Sequence, residues 1–205
     1  NFNKALTYYF GGAADGSFSV TEYPQIGRFN SDPTKISLWN VSEVTDMSGA
    51  FIDKATFNEN IDNWDVSNVT DMSDMFSGCS AFNQTLNKWK TSSVINMSNM
   101  FSGCRVFDKP LNAWNVANVR NMDGMFNGCF VFNKTLTNWN VSKVTSMENM
   151  FNGCKLFNQP LTTWNVANVT NMSDMFNGCS KFNQDLRDWE MSIDTVLNGT
   201  LRMFF

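Results

Sequence analysis

The 205-residue sequence contains no histidine. That absence removes Ser-His-Asp and Cys-His catalysis, and the commonest zinc ligand, in one step. None of the five cysteines forms a CxxC pair, which argues against a clustered metal site and a small disulfide-knot fold. No apolar run approaches the ~20 residues of a membrane-spanning helix. No signal peptide opens the chain. Phe2, Asn3 and Leu6 already resemble the motif that dominates later, so the sequence reads as a mature form or a piece of something longer. Basic residues are few and scattered. Fifteen Lys and Arg stand against 19 Asp and Glu, a net charge of −4, and no basic stripe for nucleic acid is present.

What is present is a period. Tryptophan recurs at 39, 64, 89, 114, 139, 164 and 189, every 25 residues. A strict period of this length is the signature of a solenoid, in which each copy is one turn stacked on the last. With 42% hydrophobic residues, the chain suits one domain with a sizeable core. Residues 39–188 form six repeats of equal length. Residues 1–38 read as a diverged N-terminal repeat or cap, with a loop at Gly11–Gly16 and a short strand suggested by Phe18, Val20 and Tyr23. Residues 189–205 read as a partial C-terminal repeat or cap.

Within one copy, Met72, Met75, Phe76 and Cys79 fall at i, i+3, i+4 and i+7, which predicts a short helical turn. Thr70 or Asp71 is suited to cap it, and Gly78 stands where a left-handed terminating residue belongs. Phe82 and Leu86 share strand parity and predict the parallel strand that pairs from copy to copy. The expected fold class is therefore an α/β solenoid of 25-residue repeats, with one short parallel strand and one short helical turn in each. Stacking would align Trp64, Trp89, Trp114, Trp139 and Trp164 in one column. It would align Asn83, Asn133 and Asn158 in a polar ladder that Asp108 interrupts. Helices need ~8–10 Å between axes and strands only ~4.8 Å, so well-formed helices would lie on the outer side of a curved stack. The methionines in the helical registers read as soft core filler rather than as a binding groove or copper site.

Six copies of V-x-x-V-x-x-M-x-x-M-F-x-G-C-x-x-F-N-x-x-L-x-x-W with few gaps, as in NVTDMSDMFSGCSAFNQTLNKW, resemble the repeat of mycoplasma lipoproteins and lactic-bacterial surface proteins, related to the BspA-type leucine-rich repeats; the first copy departs most, with Ala50, Asp53 and Lys54 in place of Met, Gly and Cys. The resemblance covers roughly residues 39–188. It implies a right-handed, leucine-rich-repeat-like solenoid, an extracellular or cell-surface setting, and a role in adhesion or surface architecture. It carries no catalytic residues onto this chain.

The remaining residues yield few sites. Cys79, Cys104, Cys129, Cys154 and Cys179 occupy one register and read as buried free thiols. The sequons at Asn40, Asn68, Asn140, Asn168 and Asn198 are candidate glycan acceptors in a eukaryotic secreted protein. Asp62 with Asp65, and Asp185 with Asp188, read as solvated loop acids rather than calcium ligands, because the acids do not recur in register. Ile95 and Arg120 break the Thr45, Thr70, Thr145, Thr170 row, so no lattice-matching face for ice is expected. No matched pair of carboxylates supports a carbohydrate-active enzyme. The sequence reading is thus a non-enzymatic module without catalytic, metal or cofactor site. Its partners would be a protein or glycan at a cell surface, or further copies of itself in a head-to-tail filament.

Overall fold

The computed structural model describes Leu6 and residues 35–191. The architecture follows from apolar residues spaced by three. A β-turn closes a bond from residue i+3 back to residue i, and so brings both ends to the same side of the chain. In the repeat that begins at Trp64, such bonds run from the amide of Val69 to Val66 (3.0 Å), Met75 to Met72 (3.3 Å), Cys79 to Phe76 (2.9 Å) and Phe82 to Cys79 (3.0 Å). Trp89 closes the repeat with a bond to Leu86 at 3.2 Å. All of these residues are buried, and their side chains fill the space that the turns enclose.

The helix expected over 72–79 is absent. Among residues 35–191 the one helical element is the 3-10 turn Ile36–Leu38. The reason lies in where the amides point. Those of Met75, Ser77 and Cys79 close turns within their own repeat, whereas those of Met72, Asp74, Phe76 and Gly78 bond the carbonyls of Asn96, Ser98, Met100 and Ser102 in the next, at 2.7–3.0 Å. Every second amide is thereby spent on a neighbouring layer, and no i to i−4 ladder can form. The i, i+3, i+4, i+7 pattern comes from two β-turns, 72–75 and 76–79, placed end to end.

This ribbon requires left-handed backbone at two positions per repeat. One is held by Gly49, Asp74, Asn99, Gly124, Asn149 and Asp174, with φ of 53–61°. The other is held by Asp53 and then by Gly78, Gly103, Gly128, Gly153 and Gly178, with φ of 58–78°. Only glycine, asparagine and aspartate occupy them, the residues for which this conformation costs least. A Cβ on Gly103 would lie 3.5 Å from the Cα of Gly78, an ordinary contact, so the positive φ rather than crowding is what calls for glycine there.

The parallel pairing also lies elsewhere than expected. It consists of single bridges joining Asp46, Asp71, Asn96, Asn121, Ser146 and Asn171 in sequence, and no bridge falls on 82–86. Equivalent side chains do lie over one another. Trp89 and Trp114 are parallel within 5° at 6.1 Å, and Trp139 and Trp164 within 3° at 6.4 Å. The Phe82 column repeats at 5.8–6.1 Å and the Phe76 column at 5.4–5.8 Å. The layers are therefore closest beside the 72–79 ribbon and widest at the tryptophans. The condition for a curved stack with helices on its outer side is not met, and turns bonded across layers do not need the spacing of packed helices.

No helix among the described residues is long and apolar enough to cross a membrane. The N-terminal strand and loop, and the residues beyond Met191, lie outside the described residues.

Candidate interaction surface

The recurring residues are consumed by the stack itself. The indoles of six tryptophans donate to a carbonyl 28 residues earlier, Trp64 to Ile36, Trp89 to Ile61, Trp114 to Leu86, Trp139 to Leu111, Trp164 to Leu136 and Trp189 to Leu161, at 2.9–3.1 Å. The thiols repeat this arrangement at another corner. Cys79, Cys104, Cys129, Cys154 and Cys179 donate to the carbonyls of Phe51, Phe76, Phe101, Phe126 and Phe151 at 2.9–3.1 Å. Indole and thiol thus do one job, a side-chain donor supplied to the turn of the layer before. All five cysteines are free and buried. Burial pushes the thiols of Cys79 and Cys179 up to about 12 and raises the other three well above the ordinary value, so none is a nucleophile at neutral pH.

The asparagine ladder works through oxygen alone. The side-chain Oδ1 of Asn58, Asn83, Asp108, Asn133 and Asn158 accepts the backbone amide of the equivalent residue in the next layer, at 2.9–3.0 Å. Asp108 therefore continues the ladder instead of interrupting it, since a carboxylate offers the same acceptor as an amide.

The sequons divide into two kinds. Asn68 and Asn168 spend their Nδ2 atoms on the carbonyls of Ser42 and Ser142, at 2.8 and 2.7 Å. Asn40 and Asn140 are exposed and use Oδ1 to accept the amides of Ser42 and Ser142. Asn198 lies outside the described residues. Asp62 is buried rather than solvated and accepts the Lys88 amide of the next layer, whereas Asp65 accepts the Ser67 amide and Asp185 binds Arg187 within their own turns. Hydrogen bonds from Ser67 lower the Asp65 carboxyl, and those from Arg187 bring Asp185 to about 2.

What the stack leaves over is the tip of the turn between cysteine and phenylalanine. A β-turn of this kind points its two central side chains outward. The successive pairs there are Ser80-Ala81, Arg105-Val106, Phe130-Val131, Lys155-Leu156 and Ser180-Lys181. Phe130 stands between two cations, with the Arg105 guanidinium 5.8 Å and the Lys155 ammonium 4.8 Å from its ring centre. Val106 and Leu156 beside it are each 45% exposed. The result is an apolar, cation-flanked patch on one corner of three adjacent layers. Sequence reasoning missed it, because attention to what recurs passes over the pair that changes. The available signal was an unrepeated Phe at a position otherwise filled by Ser, Arg and Lys.

No curated protein and no solved structure matches the chain. A family match covers residues 22–139 and again 110–204, so the family's repeat unit is met twice with an overlap in the middle. The chain belongs to the family described as Mycoplasma protein of unknown function, DUF285.

Proposed function

We propose that the chain is a non-enzymatic module of extracellular or cell-surface type, a right-handed solenoid of the leucine-rich-repeat kind. It serves adhesion or surface architecture by displaying variable turn tips on a regular scaffold. One observation supports this reading above the others. The residues that recur are used up in bonds between layers, while the exposed pair between Cys and Phe differs from copy to copy. Such a division leaves recognition to the tips and stability to the repeat. Its partner would be a protein or glycan at a cell surface. The test is binding of the fluorescently labelled chain to intact cells, to immobilised matrix proteins and to a glycan array. Saturable binding that is lost when the tip pairs are replaced by serine supports the reading. A chain that binds none of these overturns it.

A second reading, the building block of a head-to-tail filament, draws support from the bonds between layers. Each layer offers amides on one side and carbonyls on the other, and that is the pairing two copies would need to join end to end.

A further inference from the structure

Charge is unevenly spread over the described layers. Residues 39–88 carry eight acidic and two basic side chains, residues 89–163 three acidic and seven basic ones, and residues 164–191 four acidic and two basic ones. The first two stretches, an acidic half and a basic half, each present an apolar group on the same corner. In the acidic half, Ile52 is 46% exposed beside the exposed Asp53. Next to them is a hollow of about 310 Å³ lined by Asp53, Lys54, Ala55, Thr56, Asn58 and Glu59, with Phe57 at its floor. In the basic half, three layers on, Phe130 stands between Arg105 and Lys155, with Leu156 alongside. The layers separating these two patches repeat at 5.8–6.0 Å. At the midpoint the corner carries the small side chains Ser77, Ser80, Ala81 and Ser102, together with the exposed Arg105 and Val106.

We propose that a second copy of this chain docks on this corner, antiparallel, about a twofold axis level with Ser77 and Ser102. Such an axis exchanges the first repeat with the fourth. The Phe130 and Leu156 patch of each copy then meets the Ile52 and Asp53 hollow of the other, so that a single contact is made twice. Charge sets the pairing: Arg105 and Lys155 approach an acidic half, and a parallel arrangement would set like charges together. Burial of Phe130, Leu156 and Ile52 supplies affinity, while the exposed ions orient the approach and make it sensitive to salt. One corner offers an interface at the small end of the range for specific complexes, so the association is weak and concentration-dependent.

This inference is independent of the adhesion reading. A dimer that binds no cell and a monomer that binds cells are separate results. The test is sedimentation of the full 205-residue chain from micromolar to near-millimolar concentration, at low and high salt. Monomer–dimer equilibrium is expected, weakened by salt. Two variants should each weaken it by about tenfold or more, Phe130→Ser with Leu156→Ser on one patch and Ile52→Ser on the other. Asp53→Asn should weaken it less. All four positions are exposed, and near-UV circular dichroism from the tryptophans verifies that each variant keeps its fold. A monomer at every concentration overturns the proposal. So does a dimer that ignores both patch variants, or a growing series of larger species that ignores them, which would mean end-to-end joining.

Discussion

The indole nitrogen of Trp114 donates to the carbonyl of Leu86 at 3.0 Å, on an oxygen that already accepts the Trp89 amide at 3.2 Å. One carbonyl thereby ties a turn in its own layer to the next layer. Trp114→Phe keeps an aromatic ring in the column but removes the donor, and should cost about 1 kcal/mol. Trp114→Ala also leaves a cavity and should cost ~3–5 kcal/mol. Urea unfolding checks both, with the midpoint falling in that order.

The left-handed positions yield a second prediction. Gly103→Ala places a Cβ at φ of 74° and against the Gly78 backbone, and should destabilise by about 1–2 kcal/mol. Asn99→Gly, at φ of 53°, should stay within ~0.5 kcal/mol of the parent, whereas a β-branched Asn99→Val should cost more than Gly103→Ala. Thermal midpoints of the three variants decide it. Equal loss in all three would mean that the backbone conformation is not what selects these residues.

At Asp108 the acceptor can be separated from the charge. Asp108→Asn keeps an oxygen for the Asn133 amide and loses only the partly exposed pair with Lys134, a change of a few tenths of a kcal/mol. Asp108→Ala removes the acceptor and should cost about 1 kcal/mol. Hydrogen exchange at the Asn133 amide is the sharper measurement, with protection lost in the alanine variant alone.

The thiols set the alkaline limit. In the unfolded chain they lose protons near the ordinary 9.0, while Cys79 and Cys179 in the fold hold theirs to about 12. The unfolded state binds fewer protons over that interval, so stability is fully present below pH 9 and falls as pH rises from there to about 12. Melting temperature should be flat from neutral pH to about 9 and drop beyond it, less steeply after Cys-to-Ala substitution. A thiol reagent at pH 8 should label all five cysteines only after denaturation. Rapid labelling of the native protein would contradict their placement.

Glycan acceptance should follow which amide nitrogens are engaged. When the chain is secreted from a eukaryotic host, Asn40 and Asn140 are expected to be modified ahead of Asn68 and Asn168, whose Nδ2 atoms hold Ser42 and Ser142. Peptide mapping after enzymatic deglycosylation reads this out, and the reverse order would sink the assignment.

The stacking columns were legible because they rest on spacing alone. Trp89 over Trp114, Phe82 over Phe107 and Cys79 in register with Cys104 need only the 25-residue period. The path between columns was not legible. Met72, Met75, Phe76 and Cys79 face inward at the same intervals in a helix and in two consecutive β-turns, so hydrophobic periodicity does not separate the two. The distinguishing signal was local: Asp74, Asn99 and Gly124 share a register with Asn149 and Asp174, a set held together by tolerance of positive φ rather than by polarity. Gly78 was read as a helix terminator because its own conformation is left-handed in either structure. The Arg105, Phe130 and Lys155 cluster lay outside any pattern, since it arises only when three unlike residues are brought level.

The alternating bonds of the 72–79 ribbon have an electrical consequence. In the five layers from Met47 to Gly153 the same four peptides aim N–H toward higher-numbered repeats, and the carbonyls of the intervening residues aim back. Each peptide has a dipole of about 3.5 D, and aligned peptides add. One flank of the molecule therefore acts as a row of parallel dipoles, with its negative pole toward the low-numbered repeats and its positive pole toward the high-numbered ones. An approaching ion senses which way the repeats run before it touches any of them.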